Sequence, residues 1–175
     1  MSSSGSRVRR LAYTAFYRLP GRVRRRLVRV AVQKYIVGAV AIVRDTDSPA
    51  PGRLLLLRQP PGVGWGLPAG LLNRGETPLD ACARELAEET GLRLDPAAFT
   101  AAVPNAVVHH RGRWVDVVFE ASLPSAAARL RTDGAEVLDA QWHRLDNLPP
   151  LTGATARLLA TYGIGPLAGY PEVRA

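Results

Sequence analysis

Cysteine occurs once, at Cys82. No internal disulfide can form, which argues against a disulfide-stapled secreted scaffold and points to a reducing compartment, the cytoplasm. Long apolar runs are missing as well. The longest, Tyr35 to Val43, is far short of a membrane span. The N-terminus is basic but has no compact apolar stretch and no cleavage site, so no signal peptide is expected. Lysine is scarce. Acid is absent from residues 1–34, which carry nine arginines and Lys34. That segment is +10 and the whole chain is +8, so residues 35–175 sum to −2. The basic character belongs to an N-terminal arm and not to the remainder of the chain. At 175 residues the chain can bury one sizeable core, and no internal repeat divides it.

The chemistry-bearing residues are concentrated between Gly70 and Leu92, GLLNRGETPLDACARELAEETGL. Thr77 can cap the first free N–H groups of a helix, and Pro78 suits the first helical position. Asp80 places a carboxylate near the positive helix end, and Gly91 can take the left-handed conformation that ends a helix. The pattern predicts a helix over residues 78–90. At about 100° per residue, Leu79, Cys82, Ala83, Leu86 and Thr90 share one flank, the expected core side. Cys82 on that flank reads as packing. Glu85, Glu88 and Glu89 fall on the next flank, where three like charges repel near the negative end of the helix. A solvated acidic face explains such a run. A divalent-cation site explains it too, since bound charge reverses the repulsion, and all-oxygen ligation suits Mg2+ or Mn2+.

The spacing is Gly70, five residues, Glu76, seven residues, then Arg84-Glu85-Leu86-x-Glu88-Glu89-x-Gly91-Leu92. It resembles the signature box of the Nudix hydrolases with every fixed position filled, and Gly64-Trp65-Gly66-Leu67-Pro68 resembles the usual lead-in. Two positions depart from the common form: Ala69, where many members carry glycine, and Asn73, which is often acidic. The resemblance implies a domain over residues 34–165 with an α/β fold, an α/β/α sandwich around a mixed sheet. Residues 1–33 precede it as a basic helical extension, and 166–175 come after it as a tail. It also implies a metal-dependent pyrophosphohydrolase cleaving a nucleoside diphosphate linked to another moiety, such as a nucleotide or nucleotide sugar.

The resemblance assigns metal binding to Glu85, Glu88 and Glu89, with Gly70 letting the backbone approach. Arg84 orients those carboxylates, with Glu76 as its partner; a structural salt bridge would look the same. Glu136, six residues before Trp142, is the offset match for a further glutamate that completes the metal site or activates water. An exposed loop acid is the plain alternative. Either a box glutamate or Glu136 can serve as the base. Arg58, Trp65 and Asp116 are the candidates for contact with substrate, with packing under the loop as the simpler role for Trp65.

Elsewhere, Ile36–Val43 and Arg53–Arg58 read as strands, and residues 59–68 as a Pro/Gly loop. Phe99–Val103 reads as a short strand. Ala106–His110 and Trp114–Ser122 read as a hairpin, Ala140–Arg144 as a strand and Thr152–Tyr162 as a last helix. In the arm, Val8, Leu11, Ala12, Ala15, Phe16 and Leu19 repeat at helical spacing. Val23, Leu27, Val30 and Ala31 repeat again after Pro20-Gly21. This basic helical hairpin packs on its own domain, on a second subunit in a homodimer, on an anionic membrane surface or on nucleic acid. A Nudix-fold module that binds a nucleotide without turnover is the alternative to an enzyme, with the arm contacting membrane or nucleic acid. A membrane-associated hydrolase is a second.

Overall fold

The computed structural model describes residues 3–110 and 112–170. The chain divides into two compact units, Met1–Tyr35 and Ile36–Ala175. The first holds α1 (Ser3–Arg18) and α2 (Gly21–Ala31). The break at Pro20-Gly21 agrees with the sequence pattern. Within this unit Phe16, Tyr17, Arg24, Arg25, Val28 and Arg29 line a groove of about 440 Å3. The Arg24 guanidinium lies 5.3 Å from the Tyr17 ring centre. No residue of α2 is buried.

The second unit is built on β1 (Ile36–Asp45), which pairs on both edges. Small and β-branched residues let it lie between two layers. Ala39, Ala41 and Val43 point to one face, Val40 and Ile42 to the other, and all are buried. β2 (Arg53–Arg58), β3 (Ala69–Leu71), β4 (Thr100–His109), β5 (Trp114–Leu123) and β6 (Asp139–Arg144) complete a sheet, six-stranded among the described residues. Its order is β4-β5-β1-β2-β6, with β3 against the first half of β1. β1 runs parallel to β5 and antiparallel to β2 and β3, so the sheet is mixed.

One helix covers each face. α3 (Pro78–Thr90) packs Ala81, Cys82 and Leu86 onto Ala39, Ala41, Leu55 and Phe119. α4 (Gly153–Thr161) packs Leu158 and Leu159 onto Val40, Ile42, Leu54, Leu56 and Val118. Fully burying each such aliphatic side chain contributes about 1.5–3 kcal/mol, which is what closes the sandwich. The architecture is the α/β/α sandwich expected from sequence. Among the described residues, no helix is long and apolar enough to cross a membrane.

Two segments differ from the sequence expectation. β3 follows directly on the Pro/Gly loop of residues 59–68 as a strand the sequence did not mark; three residues show no alternation, and pairing with Gly38, Ala39 and Val40 makes the strand. The short strand and the first hairpin arm are one strand, β4, with a register shift between Ala101 and Ala106. Pro104 lies in that shift and has no N–H to give to a ladder. The end of the expected tail, residues 171–175, lies outside the described residues.

Candidate active site

α3 starts and stops where its sequence says. Thr77 Oγ1 accepts from the Asp80 N–H at 3.2 Å and donates to Asp80 Oδ2 at 2.6 Å. Gly91 ends the helix at φ 75°. With Leu86 buried under the sheet, Glu85 is carried toward β3. Gly70 stands opposite Ala39, whose side chain faces the α3 layer. A Cβ on Gly70 would therefore project at α3, and it would lie 2.0 Å from the Glu85 carboxyl carbon. The glycine leaves room for a carboxylate against the strand.

Arg84 gathers the acids around it. Its Nε donates to Glu76 Oε1 at 2.8 Å and its Nη2 to Glu76 Oε2 at 3.0 Å, a two-pronged pair. Nη1 donates to Glu85 Oε1 at 2.7 Å and to Glu88 Oε2 at 2.9 Å. Nη2 also reaches the Leu71 carbonyl at 3.0 Å, tying α3 to β3. Hydrogen bonds from Arg84, then from the Asn73 N–H, hold the Glu76 carboxyl down at about 2. The Arg84 guanidinium is correspondingly pushed up, first by Glu76.

Glu89 turns the other way. It is buried, and its carboxylate accepts from the Gln59 side chain at 2.8 Å and the Ala69 N–H at 2.9 Å. Burial pushes its carboxyl up to about 8 against the pull of the Ala69 N–H, and the charges of Glu85, Glu136 and Glu88 add to the rise. Glu136 thus acts on Glu89 through its charge. Its loop is shaped by Asp133, whose Oδ1 accepts the N–H groups of Ala135, Glu136 and Val137. Val137 anchors that loop in the core and Glu136 is exposed.

The expected single patch of three acids is thus two sets. Glu85 and Glu88 share Arg84, while Glu89 is held by β3 and Gln59. Among the described residues, no three His, Cys, Asp or Glu side chains stand close enough together to grip a metal ion as they are placed. Glu88 is the movable member, its side chain 61% exposed against 16% for Glu85.

The three substrate candidates fall elsewhere. Trp65 packs in the α4 layer, its ring 4.4 Å from that of His143 and 5.8 Å from the Arg58 guanidinium. Asp116 pairs with Gly38, one residue from Ala39, so it points to the face opposite Glu85. There it accepts from Trp114 Nε1 and lies 3.0 Å from His109 Nε2. Gln59 carries no sequence signal that marks it as a site residue. It lies 30 positions from Glu89, and only the fold joins them.

The family profile described as the NUDIX domain matches residues 34–162. The chain belongs to the Nudix hydrolase family. Its fold is similar to the crystal structure of a MutT NUDIX hydrolase from Burkholderia pseudomallei, at 29% identity and TM-score 0.55 over 70% of this chain and 94% of that one. The NAD-capped RNA hydrolase NudC of Vibrio vulnificus is 34% identical over 99 residues, 52% of this chain and 33% of that protein. The 8-oxo-dGDP phosphatase of Homo sapiens is 36% identical over 87 residues, 49% of this chain and 25% of that protein. This Nudix chain spans only about a quarter to a third of the length of those two relatives.

Proposed function

We propose that this chain hydrolyses the phosphoanhydride of a nucleoside diphosphate linked to a further group, with Mg2+ or Mn2+, in the cytoplasm. The observation that carries the reading is the Glu85 carboxylate seated in the space that Gly70 leaves open, with Arg84 joining it to Glu76 and Glu88. The donors suit a hard divalent ion in kind, carboxylate oxygens of Glu85, Glu88 and Glu89 and the backbone of Gly70, and closing on one would require the exposed Glu88 to swing in. A divalent ion at this place supplies positive charge against the phosphate oxygens and acidifies an attacking water.

The rest falls to the chain's own side chains. Arg84 fixes Glu85 and spans to Glu88, so the acids are presented at a set spacing from β3. Gln59 and the Ala69 N–H hold both Glu89 oxygens in place. Glu136 is the carboxylate that neither Arg84 nor the sheet holds, and it lies near enough to act on Glu89 through its charge. We assign it the water's proton. The substrate class is taken from the relatives: NAD-capped RNA and 8-oxo-dGDP are both nucleotide compounds with a diphosphate. The arm of residues 1–33 stands apart from this chemistry, and a second copy, a membrane surface or nucleic acid are its candidate partners.

The test is turnover by purified full-length chain, read as released phosphate or pyrophosphate over a panel of nucleotides with Mg2+ and with Mn2+. E85Q, E88Q/E89Q and E136Q should each lose about 10²–10⁴ in rate while staying folded. Wild-type rates in folded E85Q would refute the assignment of Glu85. Nucleotide binding without turnover in the wild type would make the chain a binding module.

A further inference from the structure

We propose that the hairpin of α1 and α2 docks on an anionic membrane surface. Three observations meet there. First, each helix has two sides. On α1, Val8, Leu11, Ala12 and Ala15 share one side at helical spacing. On α2, Val23, Leu27 and Val30 share one side; Arg25 and Arg29 lie on the far side, Arg22 on its flank, and Arg26 borders the apolar stripe. Second, the apolar sides are not consumed inside the hairpin. The two helices meet through Phe16, Tyr17, Arg24 and Val28, and Arg25 and Arg29 line the same groove, so it is the polar side of α2 that is turned to α1. Leu11 remains 69% exposed, Leu27 48% and Val30 89%. Third, the segment 1–34 is +10 with no acid to neutralise it.

The partner must satisfy both surfaces together. Nucleic acid answers the arginines but has no place for leucine and valine, and its binding is mainly a matter of phosphate charge. A second copy of the arm answers the apolar sides but brings another unneutralised +10 against the first. A bilayer with anionic headgroups answers both. Apolar side chains enter the boundary of headgroups and acyl chains while the guanidinium groups stay at the phosphate level. Binding of this kind is reversible and falls with salt, because the charge attraction fades beyond a Debye length.

The experiment is vesicle co-sedimentation of the full chain. One set of vesicles is phosphatidylcholine alone, the other contains phosphatidylserine, each at low and high salt. Wild type should pellet with phosphatidylserine vesicles at least roughly tenfold better than with phosphatidylcholine, and high salt should release it. L11S/L27S/V30S and R22Q/R25Q/R26Q/R29Q should each weaken that binding by at least about tenfold, with nucleotide hydrolysis in solution unchanged. Helix content by circular dichroism shows whether the arm still folds in each variant. The salt response of wild type tests the proposal without any variant. The proposal fails if wild type ignores phosphatidylserine, or if the serine variant binds as wild type does. It also fails if duplex DNA is retained in place of vesicles, or if the serine variant merely dissolves a dimer that has no vesicle affinity.

Discussion

Glu85 occupies the space in which any side chain at position 70 would have to sit. The ideal Cβ of a residue replacing Gly70 would fall 2.0 Å from both the carboxyl carbon and Oε1 of Glu85. Gly70 is in a strand, not in the left-handed region, so alanine is acceptable to the backbone. The group it meets is the free end of a flexible side chain. G70A should therefore keep its melting temperature within a few degrees while pushing Glu85 aside. A misplacement of about 1 Å costs on the order of 10²-fold in rate. A melt and a rate on the same sample check this, and unchanged activity in G70A would remove Gly70 from the site.

Arg84 serves three carboxylates and one carbonyl from a single planar group. Lysine keeps the charge but not the fork. R84K should lose roughly 10- to 100-fold in rate with a modest drop in melting temperature, since one ammonium cannot hold Glu76, Glu85 and Leu71 together. R84Q should be less stable than R84K, because Glu85, Glu88 and Glu76 are then left facing one another. Equal rates for R84K and wild type would show that only the charge matters.

Much of the site is legible in the residues alone. The helix at 78–90 carries its own start in Thr77-Pro78 and its own stop in Gly91, and β2 is a leucine run between two arginines. Glycine at 70 and the acids at 85, 88 and 89 are spaced by a motif that names its chemistry. The hidden part depends on contacts between distant segments. β3 is made by its pairing to β1, and Gln59 meets Glu89 only through the fold. Asp116 reads as available for substrate because alternation gives its face only relative to its neighbours. The register with Gly38 is what turns it away from Glu85. The division of the acids between Arg84 and the Ala69 N–H is likewise beyond a helical wheel, which places side chains by angle and not by partner.

Glu76 links the site to acid stability. Its carboxyl sits at about 2 against an ordinary 4.5, with Arg84 as the first cause. A depressed carboxylate stabilises the fold above its unfolded value and loses that contribution as pH falls through the folded one. The stabilisation is therefore complete above about pH 5, shrinks below pH 4.5 and is gone near pH 2. Urea unfolding between about pH 2 and 6 should show a steeper fall for wild type than for E76Q. If the two curves stay parallel over that window, the Arg84 pair contributes nothing to stability.

Cys82 offers a test of the packing that places the carboxylate helix. Its side chain is 1% exposed between α3 and the sheet, and burial pushes the thiol up to about 12. At about pH 8 the thiolate fraction in the folded chain is then on the order of 10⁻⁴, and only the thiolate reacts. A disulfide reagent such as 5,5′-dithiobis(2-nitrobenzoate) should leave native protein unlabelled for hours and label one thiol per chain in denaturant. C82A removes a sulfur from a closed layer, so it should lower the melting temperature while leaving the rate near wild type. Rapid labelling of the native chain would mean that α3 lifts from the sheet, and with it the one surface that sets Glu85 against Gly70.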